Sequence, residues 1–217
     1  MTPSPIEQLE QIAKALDREL RTAVGSVAET RRDPFFVLVS TLISLRTKDE
    51  VTHAASDRLF RLAADPSSLA ALPRSSIEKA IYPAGFYRNK ARQLKESARI
   101  ILEEHGGQTP ATLEELTALP GVGRKTANLV LGLGFGIPAI CVDIHVHRIS
   151  NRLGWIETKT PEQSEHALMS LFPTEYWIPL NDLLVRFGQQ KCTPVSPFCS
   201  SCPLIEECPK VGVSRHR

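Results

Sequence analysis

Apolar residues in this chain recur at steps of three and four, and prolines cut the pattern before any run grows long. Ile6, Leu9, Ile12, Ala13, Leu16 and Leu20 form one amphipathic stripe. Asp33-Pro34 reads as an N-cap followed by the first helical residue, opening an apolar helix from Phe35 to Leu45. Thr47 to Glu50 opens another, with Val51, Ala54, Ala55, Leu59 and Leu62 facing inward. Pro66, Pro73 and Pro83 mark off short helices around Leu69 and Ile77. Asn89 to Glu104 is predicted as a longer helix closed by Gly106-Gly107. Further helices are predicted from Thr112 to Leu119, Arg124 to Leu133, Ile144 to Leu153, Pro161 to Leu171 and Trp177 to Phe187. No alternating strand series and no internal repeat interrupts them, and the apolar run Ile137 to Val142, the one candidate strand, has no partner. The pattern predicts an all-α protein of about ten helices.

Charge and composition exclude some functions. Lys and Arg total 26 against 24 Asp and Glu, a net charge of +2, so nucleic-acid binding needs a local basic patch rather than a basic chain. One such run exists, Arg88, Lys90, Arg92, Lys95 and Arg99 against the single acid Glu96, and it reads either as a solvated face or as a phosphate-attracting stripe. Aromatic residues at 6% argue against a base-stacking single-strand platform. No apolar run approaches the ~20 residues of a membrane span. The acidic N-terminal stretch with Glu7, Glu10, Asp17 and Glu19 is no signal peptide. The expectation is a cytoplasmic protein.

Of five cysteines, four fall in the last 26 residues: Cys192, Cys199, Cys202 and Cys208. A cytosolic cluster of this kind reads as a metal or iron–sulfur site rather than a disulfide frame. Its single C-x-x-C is flanked by two outlying cysteines, and Cys₄ ligation suits zinc or a cluster alike. Cys141, in the apolar run, reads as a buried hydrophobe.

Leu119-Pro120-Gly121-Val122-Gly123-Arg124-Lys125-Thr126-Ala127 ends one helix, turns tightly through glycines and starts another. Unpaired main-chain N–H groups and a positive helix end would hold a phosphate there without reading a base. Lys125, in the first turn of the new helix, reads either as a phosphate contact or as an amine nucleophile, its protonated form disfavoured by the helix end and by partial burial. Asp143 reads either as the N-cap of the next helix or as an anionic partner for a developing cation. His145 suits a helix surface or a supporting contact to DNA or to Asp143.

Together, these segments resemble the endonuclease III family of helix-hairpin-helix DNA glycosylases. The likeness rests on Leu119 to Ala127, Val142-Asp143-Ile144-His145 and the C-x₆-C-x₂-C-x₅-C tail, with Ser44 to Asp49 and Gly85 to Lys90, and runs from about Phe35 to Cys208. It implies a two-lobed α fold: a helical-barrel lobe over residues 28–137 with the hairpin, and a discontinuous lobe of 1–27 and 138–217 ending in a cluster loop, 192–208. It implies a [4Fe–4S] cluster on the four tail cysteines, Lys125 as nucleophile and Asp143 as its carboxylate partner. It implies contacts to damaged or abasic double-stranded DNA through Gly121, Val122, Gly123, Arg124, Arg46, Phe86, His145 and Lys191, with DNA lying across the cleft between lobes. The implied activity is a bifunctional glycosylase and lyase removing oxidised pyrimidines, in a monomer associated with the nucleoid of a bacterium or archaeon. The alternative is a non-catalytic helix-hairpin-helix DNA-binding protein with a structural zinc.

Two departures from the family pattern bear on specificity. Many members have Gln where Arg46 stands, at a loop entering the gap left by the extruded base, and Leu where Phe86 stands, as a wedge into the stack. Arg46 brings charge and loses an amide acceptor, and Phe86 is a larger apolar wedge. Related adenine glycosylases carry Glu where this chain has Thr41, a pair of glutamines at Leu45-Arg46, and no lysine at the place of Lys125. The thymine-mismatch relatives lack that lysine too.

Overall fold

The computed structural model describes residues 3–16, 22–31 and 33–217. Leu20, assigned to the first helix by periodicity, lies outside the described residues. Twelve α-helices run in order: α1 (Pro5–Ala15), α2 (Ala23–Arg31), α3 (Pro34–Ser44), α4 (Asp49–Leu62), α5 (Pro66–Ala71), α6 (Arg74–Ile81), α7 (Tyr87–Glu104), α8 (Leu113–Ala118), α9 (Arg124–Leu129), α10 (Ile144–Arg152), α11 (Pro161–Leu171) and α12 (Trp177–Gln190). The described residues contain no strand. They divide into two compact units, Ala23–Ile137 and Met1–Thr22 with Pro138–Arg217. The first boundary, expected at residue 28, falls inside α2; the division precedes Ala23 because α2 packs as one piece on α3 and α4.

In the continuous unit, α3 is the central helix. Asp33 caps it, its carboxylate accepting from Phe35 N at 2.8 Å, and Pro34 supplies the first turn. Every residue from Phe35 to Ile43 is buried, so α3 is apolar all round and must be enclosed. The surrounding elements include α2, α4 and α9. Phe36 meets the Phe60 ring edge-on at 4.4 Å, and the Arg31 guanidinium lies 4.6 Å from the Phe36 centroid. Each such buried apolar side chain contributes roughly 1.5–3 kcal/mol.

The helix predicted from Arg124 to Leu133 changes character midway. After Leu129 it widens into a π-helical segment, Val130–Phe135, ended by Gly136 in the left-handed region at φ +68°. Gly134 in that segment lies against the first turn of α3, where a Cβ would stand 2.8 Å from Pro34 Cα. The run Ile137 to Val142 is extended with no strand partner, and it sends Ile140 and Val142 into the core of the other unit.

That unit is built on α12, whose Leu180, Leu184 and Phe187 pack with Leu9 and Ile12 of α1 and Val146 and Ile149 of α10. A capping box starts α1: Glu7 N donates to Ser4 Oγ and Ser4 N to Glu7 Oε2. Thr160 caps α11 as expected, with Pro161 in the first turn. No helix among the described residues is long and apolar enough to cross a membrane.

Replacing Gly134 by alanine presses a methyl group on main-chain atoms that cannot rotate away. The expected loss is about 1–3 kcal/mol of unfolding free energy, read from the urea midpoint; an unchanged midpoint would mean that α3 and the π-helical segment are not in close contact.

Candidate active site

The hairpin is built as its glycines require. Gly121 sits at φ +84°, where side chains are strained, and a Cβ there would also stand 2.7 Å from the Gln93 side chain of α7. Val122 N donates to Leu119 O at 3.1 Å, closing the turn. Val122 is buried, so its side chain anchors the hairpin and only its main chain is available to a ligand. Gly123 forms the N-cap of α9 without a side-chain cap, and a Cβ on it would meet nothing within 4 Å. Arg124 is half-buried, while Lys125 is exposed rather than partly buried. The inward face of this turn is taken by Thr126, Ala127 and Asn128.

A second feature of the same unit joins Arg46 and Phe86. Both hold left-handed backbone, at φ +53° and +56°, a region side-chain-bearing residues rarely occupy. The Arg46 guanidinium lies 5.5 Å from the Phe86 centroid, and the ring is 65% exposed. Behind them Lys90 is buried, its ammonium donating to Ile43 O, Leu45 O and Thr47 Oγ1 at 2.6, 2.5 and 2.8 Å. Burial lowers its pKa to about 8.

The basic run of α7 therefore forms no continuous charged face. Lys90 points inward, Lys95 donates to Ala70 O and Leu72 O at the end of α5, and Arg99 is paired with Glu96 and Glu103. Arg92 bonds Asn89, and Arg88 lies over the Tyr87 ring.

In the other unit, Asp143 is the N-cap of α10, and its Oδ1 accepts from both His145 N and Val146 N at 2.9 Å. One carboxylate oxygen is thus committed to the helix, which fixes the direction of the other. The His145 ring is no bare surface group: Nδ1 lies 3.1 Å from Arg148 Nη2, and a Cβ on Gly188 of α12 would come 2.4 Å from it. Arg148 Nη2 also donates to Cys192 O at 2.8 Å.

The four tail cysteines line one largely apolar recess, and none of them is in a disulfide. Cys192 follows the end of α12, its N–H donating to Phe187 O. Cys199 begins a short turn closed by Cys202 N, and Cys208 N bonds the carbonyl of the fully buried Leu204. Arg152, itself buried, donates to Thr193 O and Pro194 O at 2.8 and 2.6 Å and lies 3.5 Å from Cys192 Sγ. Lys210 N donates to Cys208 Sγ at 3.4 Å. Burial first, and the Cys192 sulfur second, push the Cys199 thiol above its ordinary range; burial likewise raises Cys202 and Cys208. Four cysteine side chains lining one recess are a donor set that fits a metal centre bound by four thiolates. Among the described residues, no three His, Cys, Asp or Glu side chains are arranged to hold a single metal ion. Lys191, half-buried, reaches Ser201 Oγ at 3.3 Å. Cys141 stands apart, 2% exposed, its carbonyl accepting from Asn181.

The role of Lys90 carries no sequence signal beyond its charge, since it stands among the other basic residues of α7. Its partners in α3 lie more than forty positions away.

Residues 39–174 match the family described as HhH-GPD superfamily base excision DNA repair protein. Endonuclease III of Thermotoga maritima is 50% identical over 176 residues, covering 81% of this chain and 83% of that protein. Endonuclease III homolog 2, chloroplastic, of Arabidopsis thaliana is 44% identical over 85% of this chain, which spans 50% of the length of that plant relative. The solved structure of a trapped endonuclease III–DNA covalent intermediate, an estranged-adenine complex, superposes with a TM-score of 0.82 at 34% identity, covering 94% of each chain.

The buried ammonium gives a stability signature. Lys90 releases its proton near pH 8 in the folded chain against 10.5 for an ordinary lysine. Between these values the unfolded chain binds more protons, so this group's contribution to stability rises with pH. Unfolding free energy of the wild type relative to Lys90→Met is expected to increase from about pH 8 to pH 10, measured by urea midpoints. A flat difference would put the ammonium in water.

Proposed function

The chain belongs to the HhH-GPD superfamily of base excision DNA repair proteins and, within it, to the endonuclease III family, and on that premise we propose that it removes oxidised pyrimidines and cuts the strand through a lysine Schiff base. It is a base excision repair DNA glycosylase; the residues that do the work are the part proposed. The observation that carries the reading is Lys125, exposed in the first turn of α9 directly after an uncapped glycine hairpin.

The hairpin main chain at Gly121 and Gly123 grips a backbone phosphate of damaged or abasic double-stranded DNA, helped by Arg124. The damaged nucleotide is extruded at a cost of roughly a few kcal/mol, least where the lesion has already weakened the pair. Phe86 wedges into the stack and Arg46 enters the vacated gap. Lys125, as the neutral amine, forms a bond from Nζ to C1′ of the sugar while the C1′–N bond to the base breaks, the base leaving with the electron pair and taking a proton from water. Asp143 steadies the positive charge developing on the sugar and accepts the amine proton through its uncommitted oxygen. The C1′–O4′ bond then breaks, O4′ taking the proton that Asp143 accepted, and the opened sugar is left as an iminium; this acidifies the C2′ proton, whose removal breaks the C3′–O bond, and the phosphate leaves on the 3′ side with the electron pair. His145 and Lys191 add contacts to DNA. The protein acts as a monomer in the cytoplasm, on chromosomal DNA.

Cys192, Cys199, Cys202 and Cys208 hold a [4Fe–4S] cluster, which cross-links the tail and takes no part in bond breaking. Arg152 and the N–H of Lys210 tune its thiolate ligands by hydrogen bonds.

Lys125→Gln is expected to abolish borohydride trapping on abasic DNA while leaving binding within about threefold; undiminished trapping would remove Lys125 from the role. Asp143→Asn keeps an oxygen for the cap and loses the charge. Its single-turnover base release is expected to slow by roughly 10²-fold or more with little change in affinity, and near-normal release would return Asp143 to capping alone. Purified protein is expected to contain four irons and no stoichiometric zinc by elemental analysis.

A further inference from the structure

Lys90 has no place in the chemistry above, yet it is the lysine that the fold keeps at 5% exposure. A buried ammonium persists only when its protons are met, and here three protons meet three acceptors: Ile43 O, Leu45 O and Thr47 Oγ1. The two carbonyls end α3, where the helix leaves acceptors without partners and its dipole is negative. Thr47 extends the network. Its Oγ1 also accepts from Gly85 N at 3.1 Å and donates to Leu45 O at 3.3 Å. One ammonium thus braces the residues on either side of Arg46 and, through Thr47, the residue before Phe86. Gly85 itself is pressed so close that a Cβ would lie 2.4 Å from Arg46 O.

We propose that Lys90 is a positioning residue that locks Arg46 and Phe86 into one preformed tip, so that ring and guanidinium enter the duplex together. Two side chains in left-handed backbone need a scaffold that over-determines them. Without the brace the two loops relax toward ordinary backbone and must be ordered again at each insertion, which weakens entry into paired DNA. The inference rests on the reading of Arg46 and Phe86 given under Proposed function, and it adds the group that holds them.

The test compares a preformed abasic site in a fully paired duplex with the same site inside an unpaired bubble, where no stack needs to be opened. Lys90→Met is expected to lower single-turnover cutting of the paired duplex about tenfold and to leave cutting of the bubble unchanged. It also loses the fluorescence rise of 2-aminopurine placed next to the site, which reports unstacking. Thr47→Val keeps the two carbonyl bonds and drops the link to Gly85. It is expected to shift the duplex-to-bubble ratio in the same direction by several-fold, and it carries the test if Lys90→Met does not fold. Equal losses on both substrates mean that Lys90 only stabilises the fold, and they overturn the proposal, as does an unchanged ratio in the variants that fold. A wild type that cuts neither substrate and gives no borohydride adduct overturns the glycosylase reading as well, and is recognised before any variant is made.

Discussion

Lys90, Gln93 and Ser97 stand on one inward-facing stripe of α7, three and four residues apart. Lys90 closes the loops that carry Arg46 and Phe86. Gln93 lies beneath Gly121, and Ser97 Oγ reaches Pro120 O at 3.4 Å. At 1.5 Å per residue, the first and last of these are roughly 10 Å apart along the axis. The spacing between the exposed tip and the hairpin is therefore a property of one continuous helix rather than of two loops. The α5 and α6 helices pack on α7, and Lys95 ties it further by binding the carbonyls at the end of α5.

Buried cations satisfied by main-chain carbonyls recur in both units. Lys90 does this at the end of α3, and Arg152 does it for the loop that follows Cys192. Taking a charge out of water costs several kcal/mol unless its hydrogen bonds are replaced, so each tolerates few alternative loop conformations. The gain is definition of irregular chain. Neither the segment around Arg46 nor that around Pro194 has regular structure to hold it, and each is shaped instead by the fixed directions of a buried donor.

Much of this was legible in the sequence, and the reasons for the rest are physical. Asp33-Pro34 announces the start of α3, and nine consecutive buried positions follow, so local capping and burial agree. The glycine hairpin and the cysteine spacing are local patterns whose chemistry depends on residue type alone. The helix α2 gives no sequence signal, because it buries small residues, Ala23, Val24, Val27 and Ala28, and carries no apolar stripe of the usual size. The π-helical segment was not visible, since it arises where Gly134 meets Pro34 in another part of the chain. The basic run on α7 misleads for the same reason: whether a lysine is solvated or buried depends on where the carbonyls of α3 and α5 end. The sequence suggests partial burial of Lys125, but its three successors occupy the inward positions.

In the unit that carries the cysteines, Arg148 binds the carbonyl of Cys192 with the same guanidinium nitrogen that meets the His145 ring, and the main-chain N–H of His145 donates to Asp143 Oδ1. Gly188 lets α12 lie against these side chains without a methyl group between them. The tail loop and the carboxylate at the head of α10 are consequently parts of one assembly of bonds. The cysteine loop is not a module that can be trimmed, or exchanged with that of a cousin, while the other end stays as it was. Any such graft must bring along the arginine at 148 and the glycine at 188.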